Sequence, residues 1–186
     1  ECLDHIQSAL ERMNTMLTRI LDVRAIEDQH LQLYPEKLEL AELLEEVIAD
    51  FRERAQKKGI QLSGHLKREL FASLDRAYTL QVFENLISNA IKFSPPDTEV
   101  RLHLEESDGK VRAKVCDQGP GIAPEEQPKL FAKYQKLSAR PTDGETSTGL
   151  GLSIVKKYVE AMEGAVWCES ELGNGAHFIV EFKAYQ

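Results

Sequence analysis

The sequence predicts an α+β protein: an α/β sandwich with helices on one face of a mixed, mainly antiparallel sheet, preceded by one long helix. Several segments carry apolar residues at every third or fourth position, the spacing of helices with one buried face. Short apolar runs between them are joined by glycine-containing turns, such as those at residues 107–109 and 172–175, which are typical of β-hairpins. This mixture of helices and hairpins indicates a layered architecture with one shared core.

The first part of the chain is predicted to be a helix followed by a linker. From Leu3 to Ile20 the apolar residues alternate steps of three and four, the pattern of a coiled coil or helix bundle. By pattern alone, an amphipathic helix lying on its own domain is the alternative. The periodicity then fades, and Pro35 cannot continue a helix. We therefore predict a helix and linker over residues 1–35 and a compact domain over residues 36–186.

Within the compact domain, helices are assigned where helical spacing persists, and strands where short apolar runs stand between turn residues. Gly59 ends the first of these helices, and Pro95 and Pro96 close the second. Residues 117–148 are rich in Gly, Pro, Ser and Thr and are expected to form a long functional loop with room for one short helix. In chain order the predicted elements are a strand at 38–40, a helix at 43–55, strands at 60–66 and 70–74, a helix at 78–93, strands at 99–105 and 110–116, a helix at 150–162, and strands at 165–170 and 176–182.

Composition and charge limit the classes of partner. Of the 186 residues 42% are hydrophobic, and the formal net charge is -8. Phosphate contacts need clustered Lys and Arg, which are not found here, so no nucleic-acid partner is expected. No apolar run approaches the roughly 20 residues of a membrane span, so membrane attachment is expected only through regions outside this sequence.

The cysteines and the first residue bear on the cellular compartment. Cys2, Cys116 and Cys168 have neither metal-ligand nor disulfide-framework spacing, which favours a reducing compartment such as the cytoplasm. The chain starts at Glu1 in mid-pattern, without an initiator Met or a signal peptide. We therefore expect it to be part of a longer protein, whose targeting is not visible here.

One polar motif lies in the second helix of the compact domain. Asn85, Asn89 and Lys92 follow one another at spacings of four and three and therefore share a helix face. Amide oxygens are hard ligands suited to Mg²⁺, and a lysine ammonium can meet phosphate oxygens as a point charge. Taken alone, a solvated polar face is the competing interpretation.

Two further motifs combine glycines with the ends of elements. Asp117 follows an apolar strand and precedes Gly119 and Gly121, and a carboxylate there can accept a hydrogen bond from an exocyclic amine such as that of adenine. A plain Asp-x-Gly turn is the alternative. Gly149 and Gly151 open a predicted helix, whose free backbone N–H groups can bind an anion, although glycine there can equally serve packing.

In this order, the segments resemble the N, G1, F and G2 boxes of the histidine-kinase branch of the GHKL ATPases. Residues 85–93 resemble the N box, 117–121 the G1 box, 130–134 the F box and 148–152 the G2 box. The resemblance covers residues 38–182 and implies the Bergerat ATP-binding fold of that family. Residues 3–27 look like the second helix of the dimerisation and phosphotransfer hairpin, which favours a helical bundle for the first segment.

The resemblance implies roles for the matching residues. Asn89 and Asn85 would hold Mg²⁺ against the phosphates of ATP, Lys92 would contact phosphate, and Asp117 would hydrogen-bond the adenine amino group. Phe131 and Tyr134 would anchor a mobile lid over residues 123–147. The implied nucleotide-binding residues are Asn85, Asn89, Lys92, Phe93, Asp117, Gly119, Gly121, Ile122, Phe131, Tyr134, Lys136, Thr148, Gly149, Leu150, Gly151 and Leu152, with Asn85 and Asn89 as the metal ligands.

Some positions depart from the family pattern. Tyr134 stands where Phe is frequent, Lys136 where an Arg often approaches the terminal phosphate, and Ser147 where the G2 box commonly starts with Gly. Lys136 keeps the charge but cannot make the bidentate contact of Arg. None of the five histidines matches the family's phosphoacceptor motif, so no catalytic residue is assigned.

The resulting hypothesis is a sensor histidine kinase domain that binds Mg-ATP. It would transfer the γ-phosphate to a histidine on a phosphotransfer helix, in a homodimeric parent protein whose partner is a response-regulator receiver domain. Related hydrolases carry a water-activating Glu where this chain has Asn85, and an amide is no general base. Glu84 is kept as an alternative base, although it is turned about 100° around the helix. A GHKL ATPase, a serine kinase and a non-catalytic nucleotide-dependent interaction module are the competing hypotheses.

Overall fold

A computed structural model describes residues 31–135, 138–142 and 149–185. The predicted N-terminal helix and the predicted roles of Lys136, Ser147 and Thr148 lie outside the described residues. The boundary predicted at residue 36 stays a prediction. No helix among the described residues is long and apolar enough to cross a membrane.

Each helix and strand predicted between residues 38 and 182 is present, and the bounds differ mainly at the ends. In the described part of the segment expected to hold one short helix, the structure has a 3₁₀ turn, Gln127–Lys129. In chain order the elements are β1 (Pro35–Glu39), α1 (Leu40–Lys57), β2 (Gln61–Leu66), β3 (Phe71–Asp75), α2 (Arg76–Phe93), β4 (Glu99–Ser107), β5 (Lys110–Cys116), α3 (Gly151–Ala161), β6 (Ala165–Ser170) and β7 (Ala176–Lys183).

The main sheet has five strands in the order β2-β4-β5-β7-β6. Only β2 and β4 pair in parallel, because the chain between them crosses over through β3 and α2. The other three pairs are antiparallel, and β1 and β3 form a separate antiparallel ribbon. The predicted α+β sandwich with a mixed, mainly antiparallel sheet is therefore confirmed.

The core lies between the helices and one face of the main sheet. Strand β5 shows the alternation expected of a sheet with one covered face, since Val111, Ala113 and Val115 are buried and the residues between them are not. The helices contribute large buried side chains such as Phe83 and Leu86 of α2. Burial of one such side chain stabilises the fold by roughly 1.5–3 kcal/mol, so this face fixes where each helix begins and ends relative to the strands.

Candidate functional site

The N-box helix α2 and the start of α3 meet through Gly151. A β-carbon added to Gly151 would lie 3.1 Å from Asn85 Oδ1 and 3.9 Å from Asn89 Nδ2. Asn85 Nδ2 donates to the carbonyl oxygen of Gln81, at 2.8 Å, which directs Asn85 Oδ1 towards α3. The two asparagines of the sequence motif and the glycine of another motif therefore lie close together, and any side chain at Gly151 would be in tight contact with Asn85.

Asp117 lies at the end of β5, with its carboxylate buried to 7% exposure. Its Oδ1 accepts from the backbone N–H groups of Gly119, at 2.9 Å, and Ala176, at 3.2 Å. Both hydrogen bonds end on Oδ1, so among the described residues Oδ2 has no donor and can accept one from a ligand. The turn is therefore more than a plain Asp-x-Gly turn, because its carboxylate is oriented by two elements.

The charge state of Asp117 is unusual for an aspartate. Burial raises the pKa of Asp117 from 3.8 to about 6, against the lowering effect of the hydrogen bonds from Gly119 and Ala176. No cationic side chain contributes to the shift. A buried carboxylate without a cation is a common feature of binding and catalytic sites, because a structural carboxylate would be paired.

Glycines allow close contact between the G1 turn and two other segments. A β-carbon on Gly119 would lie 3.0 Å from the carbonyl oxygen of Phe93, the last residue of α2. Gly121 has φ of +71° and its α-carbon faces the carbonyl oxygen of Glu171, so any side chain there would collide with backbone. Gly175 faces the carbonyl oxygen of Asp117 in the same way. The predicted glycine roles at 119 and 121 thus have a steric basis.

A cavity of about 550 Å³ opens between the G1 turn, the end of α2, the loop segment 138–142 and the β6–β7 turn. Its size is within the range of small-molecule sites. Among the predicted site residues Phe93, Gly119 and Gly121 line it, while Asp117 does not. The lining residues that were not predicted are Pro95, Gln118, Pro120, Ser138, Ala139, Arg140, Thr142, Leu172 and Gly173.

Lys92 does not belong to a solvated face. It is only 8% exposed, whereas Asn85 and Asn89 are partly exposed. The neighbouring apolar residues of α2 are buried: Leu86, Ile87, Ala90 and Ile91. The competing interpretation of a solvated polar face is therefore excluded for Lys92, although its predicted contact with phosphate stays a prediction.

The F-box segment buries one residue deeply. Leu130 is 5% exposed and Phe131 is partly buried. Tyr134 is 63% exposed and has φ of +60°, and the α-carbon of Gly149 lies against the backbone of residues 134 and 135. The anchoring of a closed lid by Phe131 and Tyr134 stays a prediction.

The remaining predicted residues that the structure describes adjoin the motif glycines in the chain. Ile122 is buried, and its N–H donates to Ser170 Oγ at 2.9 Å. Leu150 is buried at the N-terminal end of α3, and Leu152 is partly exposed in its first turn. Gln127 Nε2 ties the loop to the carbonyl oxygen of Ser170 at 2.8 Å. Ser170 and Gln127 were not predicted, since neither stands in a motif.

The donor set around α2 fits a magnesium ion that is held mainly by a ligand. Asn85 Oδ1 is free to coordinate because the amide nitrogen makes the intrahelical hydrogen bond. No group of three or more His, Cys, Asp or Glu residues among the described residues could hold a metal. Mg²⁺ typically keeps waters and substrate phosphates as most of its ligands, so the amide side chains of Asn85 and Asn89 would be a sufficient protein contribution.

Glu84 lies on the other side of α2. Partial burial, followed by repulsion from Asp50 and Glu46 of α1, raises the pKa of Glu84. The carboxylate therefore faces α1, whereas its neighbour Asn85 faces α3. This arrangement argues against the alternative in which Glu84 activates water at the site.

The chain was compared with protein families and with curated proteins. Residues 75–186 match the family described as histidine kinase-, DNA gyrase B-, and HSP90-like ATPase. Over 181 residues the chain is 30% identical to sensor protein SrrB of Staphylococcus aureus (strain NCTC 8325 / PS 47). That alignment covers 97% of this chain and 31% of SrrB, so the chain spans about a third of the length of the curated relatives it matches.

Solved structures of histidine kinases are also similar to this chain. Full-length ShkA in complex with AMPPNP is similar with a TM-score of 0.79 and 29% identity, over 94% of this chain and 36% of that chain. The nucleotide-free catalytic domain of histidine kinase ThkA is similar with a TM-score of 0.71 and 31% identity, over 81% of this chain and 96% of that one. ThkA in complex with response regulator protein TrrA is similar with a TM-score of 0.74 and 30% identity, over 97% and 49% of the two chains. The chain belongs to the histidine kinase-, DNA gyrase B- and HSP90-like ATPase family, and within it to the catalytic domains of sensor histidine kinases of two-component signalling.

Proposed function

We propose that this chain binds ATP with Mg²⁺ and transfers the γ-phosphoryl group to a histidine on a phosphotransfer helix. In the transfer, the bond between the γ-phosphorus and the β,γ-bridging oxygen of ATP breaks, that oxygen leaves with ADP, and a bond forms between the γ-phosphorus and an imidazole nitrogen. The observation that carries the proposal is the convergence of Asn85 and Asn89 on Gly151 at the start of α3. Asn85 Oδ1 and the side-chain amide of Asn89 lie beside a helix N-terminus, where phosphate and its metal bind well, and this supports the proposal.

The two ends of the nucleotide would contact different elements. Asp117 Oδ2 would accept a hydrogen bond from the adenine amino group, with Gly119, Gly121 and Ile122 shaping the base pocket. The N–H groups at the start of α3, from Gly149 to Leu152, would face the phosphates, together with Lys92. Mg²⁺ would neutralise developing charge on the phosphates when bound, and Asn85 and Asn89 would orient it.

Phosphotransfer is favoured over hydrolysis by the side chains near the phosphate end. Asn85 is an amide and cannot take a proton from water near neutral pH, and Glu84 faces α1. A phosphoryl group would therefore be kept for a stronger nucleophile such as histidine. Steady release of inorganic phosphate from ATP by this chain alone would instead support the hydrolase hypothesis.

The partners proposed for the whole protein follow from its relatives. A response-regulator receiver domain is proposed as the phosphoryl acceptor in the next step, supported by the similarity to ThkA, which has been crystallised with response regulator TrrA. A homodimeric parent is proposed from the resemblance of residues 3–27 to a dimerisation hairpin helix, and a cytoplasmic position for this domain is proposed because ATP and receiver domains would have to reach it.

Titration calorimetry with ADP, in the presence and absence of Mg²⁺, tests the nucleotide site. The wild-type chain should bind ADP, and Mg²⁺ should strengthen the binding. Asn89→Ala should remove most of that Mg²⁺ effect, roughly a tenfold change in affinity for one lost ligand. Ser88→Ala is the matched control, because the Ser88 hydroxyl accepts from Arg54 on the α1 side, at 3.2 Å. Absence of ADP binding by folded wild-type protein would contradict the proposal and favour an interaction module.

A further inference from the structure

The residues that directly follow α2 cannot supply all the backbone N–H donors that its last carbonyl groups need. The last carbonyl groups of a helix lack intrahelical partners, and helices usually satisfy them with backbone N–H groups of the residues that follow. Here Ser94 N–H donates to the carbonyl oxygen of Ala90, at 3.1 Å. The next two residues are Pro95 and Pro96, which have no N–H. The carbonyl groups after Ala90 must therefore find donors elsewhere in the molecule.

Lys58 provides those donors from 33 residues upstream. Its Nζ donates to the carbonyl oxygens of Ile91, at 2.7 Å, and Lys92, at 2.9 Å. An ammonium beside a helix C-terminus also interacts favourably with the helix dipole. One side chain thus satisfies the hydrogen bonding of two carbonyl groups in the last turn of the helix that carries the N box.

Lys58 is itself held in place by backbone contacts around it. It follows the last residue of α1, and the next residue, Gly59, has φ of +70° and turns the chain towards β2. The Gly59 carbonyl accepts from Asp97 N–H, at 2.9 Å, and Gln61 N–H donates to Thr98 O, also at 2.9 Å. The start of the Lys58 side chain is therefore fixed relative to the segment that follows α2, so the ammonium is pre-organised for its two acceptors.

The same turn contacts the loop that lines the cavity. Thr142 donates both its N–H and its hydroxyl to the carbonyl oxygen of Lys92, each at 3.2 Å, and the hydroxyl is also 3.2 Å from Ser94 O. Thr142 and Phe93 both line the cavity. The Lys92 carbonyl is thus shared by the Lys58 ammonium and the loop, and a displaced last turn would alter the position of both Phe93 and Thr142.

We propose that Lys58 is a positioning residue for the nucleotide site: its ammonium holds the last turn of α2, and thereby Lys92, Phe93 and the cavity wall formed with Thr142, in the binding geometry. This inference rests on the proposed function for its consequence in nucleotide binding. The structural part, the fixing of the α2 terminus, does not depend on any ligand. Lys58 has no place in the four sequence motifs, and it contacts backbone, so it is distinct from the residues that would contact ATP.

The test compares Lys58→Met, Lys58→Arg and the matched control Lys57→Met. Lys57 forms an exposed ion pair with Glu53 of the same helix, and both side chains are at least three-quarters exposed, so Lys57→Met removes a neighbouring positive charge from the surface of α1. Arginine can reach the two carbonyl oxygens with parallel N–H groups and should rescue part of the effect. Circular dichroism first establishes that each variant is folded.

Two readouts are measured on each variant. Amide hydrogen exchange without nucleotide should become faster in residues 90–94 of Lys58→Met, remain near wild type in Lys57→Met, and be intermediate in Lys58→Arg. Titration with ADP and Mg²⁺ should show a roughly tenfold loss of affinity for Lys58→Met, about the effect of one charged hydrogen bond, with partial rescue by arginine.

The outcomes separate this inference from the proposed function. Faster exchange with unchanged ADP affinity would reduce Lys58 to a structural cap and overturn its positioning role. Unchanged exchange in Lys58→Met would overturn the inference altogether. If wild-type protein fails to bind ADP while exchange responds as expected, the proposed function fails but Lys58 still fixes the α2 terminus. If Lys58→Met does not fold, the comparison of Lys58→Arg with Lys57→Met decides, and identical exchange and affinity in those two contradict the inference.

Discussion

A buried carboxylate lies near each end of the β5–β7 ladder, and the two differ in their hydrogen-bond partners and in the direction of their pKa shifts. Asp117 follows the last residue of β5 and is 7% exposed, whereas Glu181 of β7 is 8% exposed. Glu181 pairs with Lys110 Nζ at 2.6 Å and with Arg112 at 2.7 Å, and these hydrogen bonds hold its pKa below the ordinary value. Asp117 has only two backbone N–H partners on one oxygen, and its pKa is raised by burial.

The two carboxylates have similar solvent exposure and opposite pKa shifts, because Asp117 is packed more deeply among protein atoms and Glu181 has two cationic partners. Burial disfavours a charge unless partners compensate for it. Around Glu181 the fold supplies two cations across the strands, so the charge is satisfied without a ligand. Around Asp117 the fold leaves one oxygen uncompensated among the described residues. The difference supports the proposal that a hydrogen-bond donor of the ligand, such as the adenine amino group, contacts Asp117 Oδ2.

The sharpest test of this contrast is Asp117→Asn. The amide oxygen can keep the hydrogen bonds from Gly119 and Ala176, so the amide nitrogen takes the place of Oδ2 and presents a donor to the adenine amine. We expect ADP affinity to fall by about 100-fold, or about 2.7 kcal/mol. Stability at pH 7 should rise by about 1–3 kcal/mol, because the buried charge with a pKa near 6 is removed.

Titration calorimetry and urea unfolding measure the two effects of Asp117→Asn on the same protein. Opposite signs, with weaker binding and greater stability, are the expected signature of a residue that serves ligand binding at the expense of the fold. If the variant bound ADP normally, the contrast with Glu181 would have no functional meaning.

A second test uses pH. The folded pKa of Asp117 is about 6, above the unfolded value of 3.8, so the unfavourable burial of its charge is present at pH 7 and is relieved as pH falls through about 6. Protonation turns Oδ2 from an acceptor into a donor. ADP affinity should therefore fall by about tenfold per pH unit below about pH 6, because each unit reduces the ionised fraction by that factor. Calorimetry at several pH values measures the midpoint.

Adenosine is the control for this pH series, because the phosphates of ADP also titrate near neutrality. Loss of adenosine binding with the same midpoint assigns the effect to the base pocket. A pH-independent adenosine affinity between pH 5 and 7 would contradict the role of Asp117 as an ionised acceptor.

Local sequence patterns predicted much of the fold, but they did not predict contacts between segments that are far apart in the sequence. The β4–β5 hairpin and the β6–β7 hairpin were predicted because strand alternation and turn glycines lie within a few residues of each other. The parallel pairing of β2 with β4 was not, since register across a crossover depends on packing of α2 rather than on a turn. Mixed sheet character could be predicted, but the strand order could not.

The site followed the same division. The motif residues Asn85, Asn89, Asp117 and Gly151 could be selected from sequence because their types and spacings are unusual together. The support from Lys58 and Ser170 could not, as each acts on backbone groups more than thirty residues away. The signal that pointed to Lys58 was indirect: two prolines after α2 remove the N–H groups that its carbonyls need. The anchoring predicted for Tyr134 stays a prediction, and its left-handed backbone, with φ of +60°, could not be foreseen from the residue type.

The smallest effects are expected for substitution of Glu181, the buried carboxylate that is paired with cations. Because the folded pKa of Glu181 is lowered from 4.5, its ion pairs stabilise the fold above that value, and the contribution is lost as pH falls through the lowered pKa. Glu181→Gln should lower the free energy of unfolding at pH 7 by roughly 1 kcal/mol, a modest figure because Lys110 and Arg112 are partly exposed. The difference in free energy of unfolding between Glu181→Gln and wild type should shrink in acid, as measured by urea unfolding between pH 3 and 7.

The ADP affinity of Glu181→Gln should stay within about twofold of wild type, since such a change corresponds to only a few tenths of a kcal/mol. If Glu181→Gln weakened ADP binding as much as Asp117→Asn, both ends of the ladder would be coupled to the ligand, and pairing with cations would not separate structural from binding carboxylates in this fold.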